Sequence, residues 1–195
     1  MPLSSPVSRR ALKHVRTIQV EAFSRDDGLW DIDARITDTK TRDTRLASGV
    51  RTAGMPIHDL LLRLTIDTRF TVIAAEAVSD AVPYLSFCNT IAPDYQKLVG
   101  LNLIQGFRQE RKARLSGIDG CTHLTELAQI LPTTAIQAFA GEVFPTREGA
   151  DAGEDAQKPF QLDRCHALRT DGAAVAQFYP RWVMQSPSPA KSQTS

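Results

Sequence analysis

WDIDARI, residues 30–36, is the stretch that decides the fold, because apolar and polar side chains alternate along it without interruption. A period of two is typical of a β-strand that buries one of its faces. Residues 18–22 alternate in the same way. Between the two runs, RDDG (residues 25–28) has turn chemistry, because aspartate tolerates tight backbone angles and glycine accepts a positive φ. The sequence therefore predicts a β-hairpin over residues 18–36.

A second hairpin is predicted downstream of the first. Every second position from residue 60 to residue 66 is leucine or isoleucine, which again indicates a strand with one buried face. Residues 68–69 would turn the chain and residues 70–78 would return it. The intervening residues 40–56 are mostly polar and contain two glycines, which favours a loop.

Two helices and one further strand are predicted after the hairpins. An apolar stripe with helical spacing runs from Tyr95 to Gly106 and continues into a basic stretch that ends at Arg114, and a second helix begins near Gly120. Residues 174–183 have the character of a strand. Strands followed by helices and a short return favour an α+β fold. We expect an antiparallel sheet from two N-terminal hairpins plus the C-terminal strand, with helices packed on one face.

Length and composition predict one folded domain with polar ends. The chain has 195 residues, which is enough for a substantial core, and we place a single α+β domain at residues 13–183. Residues 1–12 and 184–195 are rich in serine and proline and are predicted to be disordered. Residues 145–159 are rich in glycine and charge, and are predicted to form a mobile loop.

Charge and hydropathy exclude several classes of partner. The formal net charge of +1 argues against nucleic acid as the main partner, although Arg108 to Arg114 form a local basic patch. No apolar run approaches the roughly 20 residues that span a bilayer, so no membrane association is expected. The N-terminal stretch lacks the apolar core of a signal peptide. A cytoplasmic location with reduced thiols is therefore predicted. The oligomeric state stays open.

The few cysteines and histidines provide the candidate chemistry. The chain has three Cys and four His, and thiolate, imidazole and carboxylate are the groups that zinc or iron binds. His58 stands next to Asp59 before the second hairpin, whereas Cys165 and His166 are adjacent near the C-terminus. Cys88 lies in an irregular segment with apolar neighbours, where a place in the core is equally consistent with its surroundings.

Cys121 is predicted to open the second helix. A thiol at a helix N-terminus is favoured as thiolate by the helix dipole and by unpaired N–H groups. His123 follows two residues later and either ligates the same metal or stabilises the thiolate. Glu126 lies one helical turn beyond Thr122, where it can reach the same site as an acid or base. The alternative is a buried structural cysteine beside a polar histidine of the first turn.

Several motifs together resemble a family of unknown function found mainly in proteobacteria. The motifs are RDDGLWD (residues 25–31), AGMPIHD (residues 53–59), GCTHLTE (residues 120–126) and LDRCHALRTDG (residues 162–172). The resemblance covers about residues 13–183 and implies no established activity.

The order of elements is also similar to that of iron–sulfur cluster assembly scaffold proteins. Those proteins carry Gly-x-Pro-x-Cys-Gly-Asp before a strand hairpin, a second Cys after the hairpin and a third Cys at the start of a late helix. In this chain GMPIHD (residues 54–59) precedes the hairpin. The resemblance implies that His58 replaces the first Cys, that Asp59 stands near the Asp, and that Cys88 and Cys121 match the later thiols. A mononuclear zinc or iron site suits a His/Cys set better than a cluster.

Three hypotheses follow from these residues. In the first, His58, Cys88 and Cys121 hold one zinc or iron ion on a scaffold-like fold, with a fourth ligand from Asp59, His123 or Cys165. In the second, the fourth position is open and serves a metal-dependent enzyme, a lyase or hydrolase, that acts on a small molecule with Glu126 as acid or base. In the third, the protein binds no metal, its cysteines belong to the core, and its partner is another protein.

Overall fold

One four-stranded antiparallel sheet organises the N-terminal part of the chain. The computed structural model describes residues 3–146 and 158–184. Both predicted hairpins are confirmed, and they share this sheet. In spatial order its strands are β1 (His14–Ser24), β2 (Trp30–Lys40), β5 (Pro56–Ile66) and β6 (Val72–Ala81).

The connection between the two hairpins is not the simple loop that the sequence predicts. Within residues 40–56 the chain forms a small hairpin of its own, with β3 (Thr44–Leu46) paired to β4 (Gly49–Arg51). Gly49 has a φ of +126°, a conformation that side chains with a Cβ rarely adopt. Each of the two strands has only three residues, which is too short to show an alternating pattern, so the polar composition of the stretch resembles that of a loop.

The two faces of the sheet differ sharply. Alternate residues of β2 and β5 are fully buried on one face: Ile32, Ala34, Ile36, Leu60, Leu62 and Leu64. The opposite face carries cross-strand ion pairs, such as Arg63 with Asp33, whose Nε and Oδ1 atoms lie 2.6 Å apart. Charged pairs of this kind keep an uncovered face in contact with water, so the helices cover the other face.

The predicted long first helix is divided into two. A 3-10 helix spans Cys88–Leu98, and α1 spans Phe107–Leu115. Gly100 and Gly106 both have positive φ, and Gly106 stands directly before α1. Backbone in that conformation cannot continue a right-handed helix, so the apolar stripe continues through a turn.

The second predicted helix is confirmed as α2 (Thr122–Phe139). Its apolar positions Leu124, Leu127 and Leu131 are fully buried. Contacts of its first turns with β1 and β2, described below, place α2 over the buried face of the sheet. The α+β class and the antiparallel sheet are therefore confirmed.

The chain divides into two compact units, Met1–Ala138 and Phe139–Ser195. The prediction of a single domain over residues 13–183 stays a prediction. In the second unit, the predicted strand at residues 174–183 is wrong: α3 (Ala173–Phe178) occupies this stretch, followed by a 3-10 turn, Pro180–Trp182. The sequence AAVAQF favours a helix because alanine is the best helix former, and Val175 is its buried position.

Two predictions on flexible segments fall largely outside the described residues. These are the C-terminal tail, beyond Met184, and most of the loop at residues 145–159. Residues 3–12 form neither helix nor strand. The described helices include none with the length and hydropathy of a membrane span.

Candidate functional site

A carboxylate lies on the buried face of the sheet, in the alternation that otherwise carries apolar side chains. Asp38 follows Ile36 in this phase of β2 and is only 2% exposed. The strand register sets Asp38 opposite Arg16 on β1 and opposite His58 on β5. Three polar side chains from three neighbouring strands therefore meet at one end of the buried face.

Arg16 and His14 both contact Asp38, and Arg16 neutralises its charge. The Nε and Nη2 atoms of Arg16 donate to the two carboxylate oxygens at 2.9 and 2.8 Å, and His14 Nε2 lies 3.0 Å from Oδ1. Burial alone would raise the pKa of Asp38, but the hydrogen bonds and charge of Arg16 lower it to about 2. Asp38 is therefore an anion at neutral pH.

Two histidines converge on the same carboxylate oxygen. His58 Nδ1 is 3.1 Å from Asp38 Oδ2, and His123 Nε2 is 3.4 Å from it. The two imidazole rings stack with centroids 3.8 Å apart and a tilt of 30°. One donor atom from each of Asp38, His58 and His123 lies within 4.8 Å of the other two. We call these three residues the Asp-His-His cluster.

Both histidines of the cluster are neutral at pH 7. Burial lowers the pKa of His58, and the neighbouring His123 lowers it further, since two imidazolium charges in contact repel. Burial also lowers the pKa of His123, with Arg16 adding to that effect, although Asp38 acts in the opposite direction. Neutral imidazole is the form that binds metals or accepts a proton.

These pKa shifts predict how stability depends on pH in metal-free protein. Because the folded state binds fewer protons than the unfolded state just below the ordinary histidine pKa of 6.5, the free energy of unfolding should fall as the pH drops from 6.5. Urea unfolding across a pH series would measure this slope. The slope should be reduced in His58→Gln and kept in His166→Gln, a change at an exposed histidine. An equal slope in both variants would contradict the assignment.

Tyr95 fixes the start of α2 and with it the position of His123. This fully buried side chain accepts a hydrogen bond from Cys121 N at 3.1 Å, and its hydroxyl lies 2.9 Å from both Cys121 O and Thr125 Oγ1. Gly120 allows the close approach, because a Cβ there would lie 2.3 Å from Leu115 O. The sequence at residues 115–125 therefore sets where the first turn of α2 meets the sheet.

The two histidines line a cleft of about 440 Å³, which we call the histidine cleft. Cys88 and Cys121 also line it, and the rest of its wall is largely apolar: Leu60, Val82, Pro83, Tyr84, Phe87, Ile91 and Ile118. Phe87 is 77% exposed even though it is a large aromatic residue. Concave apolar walls with a few convergent polar groups are typical of small-molecule sites.

The structure brings together four of the six metal ligands that the sequence predicts. His58, Cys88, Cys121 and His123 line one cleft, and Cys121 Sγ is 3.9 Å from His123 Nδ1. Among the described residues, however, the three-residue cluster of donor atoms contains no thiol.

The other predicted residues have different partners. Asp59 lies on the opposite face of the sheet, where it accepts hydrogen bonds from Arg35 at 2.8 and 2.6 Å. Cys165 is exposed in the second unit. Glu126, the predicted acid or base, accepts a hydrogen bond of 2.6 Å from Arg16 Nη1.

Sequence reasoning missed Asp38 and its partner Arg16. Both break the apolar phase of a predicted strand: Asp38 lies two residues after Ile36, and Arg16 two residues before Ile18. A charged residue in the buried phase requires a partner, because an isolated charge is costly to bury. That rule, applied to the end of each strand, would have identified the pair.

The cluster is suited to one of two tasks. Two neutral imidazoles and a carboxylate offer three ligand atoms that could hold a metal ion, and imidazoles can also transfer a proton to or from a molecule in a neighbouring cleft.

Comparison with known protein families gives a match for this chain. A family model described as a protein of unknown function, DUF2889, matches residues 14–137, which include the whole Asp-His-His cluster. Neither curated proteins nor solved structures gave a match. The predicted membership of a family of unknown function is confirmed, whereas the proteobacterial origin and the similarity to iron–sulfur scaffold proteins stay predictions. The chain belongs to the DUF2889 family of proteins of unknown function.

Proposed function

We propose that this protein binds one divalent transition metal, zinc or iron, through Asp38, His58 and His123. A remaining coordination position would face the histidine cleft and serve a small-molecule reaction of the lyase or hydrolase type. We also keep a cytosolic location in the proposal, because the three cysteines are free thiols.

The distances within the cluster carry the proposal. Bonds of about 2.0–2.1 Å in a tetrahedral zinc site place neighbouring ligand atoms about 3.3 Å apart. Asp38 Oδ2 lies 3.1 Å from His58 Nδ1 and 3.4 Å from His123 Nε2, so these two edges already have the length that a metal requires. The third edge joins the two histidine nitrogens and is no longer than 4.8 Å, so the ion would close it.

The local charge also favours a cation. Arg16 is shared between Asp38 and Glu126, at 2.8 and 2.6 Å, so two carboxylates face one guanidinium. The net charge of these three groups is −1, and the neighbouring imidazoles of His58 and His123 are neutral. For Glu126, which contacts Arg16, we therefore propose a positioning role in place of acid or base chemistry.

Three protein ligands indicate a catalytic site more than a structural one. Structural zinc sites use four protein ligands, whereas catalytic sites use three and leave a position for water or substrate. Metal-bound water has a pKa near neutrality and acts as a nucleophile or base. The apolar wall of the histidine cleft, with Tyr84 and Phe87, favours a substrate with an aromatic or aliphatic body.

Metal titration tests the proposal directly. Protein stripped with a chelator should bind about one equivalent of Zn²⁺ in competition with a chromophoric chelator. Co²⁺ should give the visible spectrum of a four- or five-coordinate site without the near-ultraviolet band of a thiolate ligand. The control is His166→Ala, which removes an exposed histidine in the second unit and should bind the same amount. Failure to bind either ion above the chelator background would rule the proposal out.

A metal-free acid–base site is the second candidate, and one observation favours it. Arg16 already occupies both oxygens of Asp38, an arrangement that also orients a carboxylate behind a catalytic histidine. In that case His58 or His123 would act as the base. NMR titration would then show both histidines with pKa values below 6.5 and unchanged by zinc. If the protein neither binds zinc nor shows lowered histidine pKa values, the partner-binding hypothesis is the one that is left.

A further inference from the structure

A second groove lies beside the histidine cleft, between α1 and the start of α2. Its volume is about 360 Å³, and we call it the basic groove. Arg108, Arg111 and Lys112 of α1 line it together with Ser116 and Thr122. Among the described residues, no carboxylate lines this groove, so three cations face it without a counter-charge.

Arg111 is the unusual member of this set. It is only 6% exposed, and its Nε has no hydrogen-bond partner within the described part of the chain. The same range gives Arg111 no ion pair. An arginine is almost never buried without a partner, because desolvating its charge is costly. A buried guanidinium without a partner in the chain is therefore suited to pair with an anion of a bound ligand.

The start of α2 provides a second source of attraction for an anion. Thr122 begins this 18-residue helix, and the first N–H groups of a helix favour negative charge. The first turn of α2 and the cations of α1 therefore act on the same space.

We propose that the basic groove binds the phosphate of a small phosphorylated molecule. Arg111 would pair with the phosphate through its guanidinium, while Arg108 and Lys112 add charge at the mouth. Phosphate fits better than a carboxylate because its several oxygens can engage three cations and the helix N-terminus together.

The groove also adds to the proposed function, and this step rests on it. Gly120, Cys121 and Thr122 line both the basic groove and the histidine cleft, so the two spaces are neighbours that share this part of their walls. A phosphate ester with an apolar body would place its phosphate beside Arg111 and its body beside Phe87. The substrate class would then be apolar phosphate esters or diphosphates.

Binding of pyrophosphate to chelator-treated protein tests the groove without any metal. Calorimetry should show one saturable site in the wild type. Binding should be at least tenfold weaker in Arg111→Met and unchanged in Arg114→Gln, a cation of the same helix that donates to Lys97 O and does not line the groove. Without ligand, Arg111→Met should melt at a higher temperature, because it removes an unpartnered buried charge. Equal pyrophosphate binding by Arg111→Met and the wild type would overturn the proposal.

Three further measurements separate the groove from the metal site, test its link to the histidine cleft and exclude nucleic acid. His123→Ala should bind pyrophosphate as the wild type does, so that loss of metal binding and loss of phosphate binding are distinguishable. Naphthyl phosphate should bind more tightly than inorganic phosphate, and Phe87→Ala should remove the difference. A single-stranded oligonucleotide that binds more tightly than pyrophosphate, and equally depends on Arg114, would show instead that α1 is a nucleic-acid surface.

Discussion

Replacing Arg16 with methionine is expected to lower the free energy of unfolding by about 3 kcal/mol. The change leaves the Asp38 carboxylate on the buried face of the sheet without its bidentate partner, and removing one member of a buried ion pair is strongly destabilising. We take the lower end of the usual range because the Arg16 side chain is itself 36% exposed. Urea unfolding at pH 7 measures the effect.

The open face of the same sheet provides a matched control. Arg63 and Asp33 also form a bidentate cross-strand pair, at 2.6 and 2.5 Å, but Arg63 is about half exposed. Arg63→Met should therefore lower the free energy of unfolding by less than about 1 kcal/mol. Adding Asp38→Asn to Arg16→Met should restore part of the lost stability, because the buried charge is then absent. If Arg16→Met lowers the free energy of unfolding no more than Arg63→Met does, Asp38 is not a buried anion that depends on Arg16.

Replacing His123 with alanine should weaken zinc binding by at least about 100-fold, since even partners of the ligands change metal affinity by 10–100-fold. The histidine is one of three proposed ligands, and the two that remain cannot close the site. Competition with a chromophoric chelator gives the affinity. Far-ultraviolet circular dichroism would show that α2 is still folded in the variant.

Two nearby variants distinguish a ligand from a neighbour. His14→Ala removes the contact of 3.0 Å to Asp38 Oδ1 and should weaken zinc binding by about tenfold, as changes behind a ligand do. Cys121→Ser alters a thiol 3.9 Å from His123 Nδ1 and should leave one equivalent bound. A loss in Cys121→Ser as large as that in His123→Ala would return the thiolate to the ligand set.

Local patterns predicted most of the sheet. The alternation in residues 30–36 and 60–66 depends only on which face of a strand each side chain takes, so it could be interpreted without knowledge of the rest of the chain. The C-terminal stretch was misassigned because a short alternating run is ambiguous between strand and helix, and AAVAQF forms α3.

The site was predicted only in part, for a physical reason. Histidine and cysteine are recognisable by type, so the sequence led to His58 and His123, and also to Asp59, which the pleat turns to the other face of the sheet. Asp38 lies 20 residues from His58 and 85 from His123, and nothing local connects them.

By itself, the sequence determined the two hairpins, the helix that begins beside Cys121 and the residue types available for a site. The tertiary structure decided which of them meet. Strand pairing sets Asp38 between Arg16 and His58, and the Tyr95 contacts at Cys121 set the first turn of α2 over the same end of the sheet. Periodicity is a property of neighbouring residues, whereas a site of this kind depends on strand register and helix packing, which join distant parts of the chain.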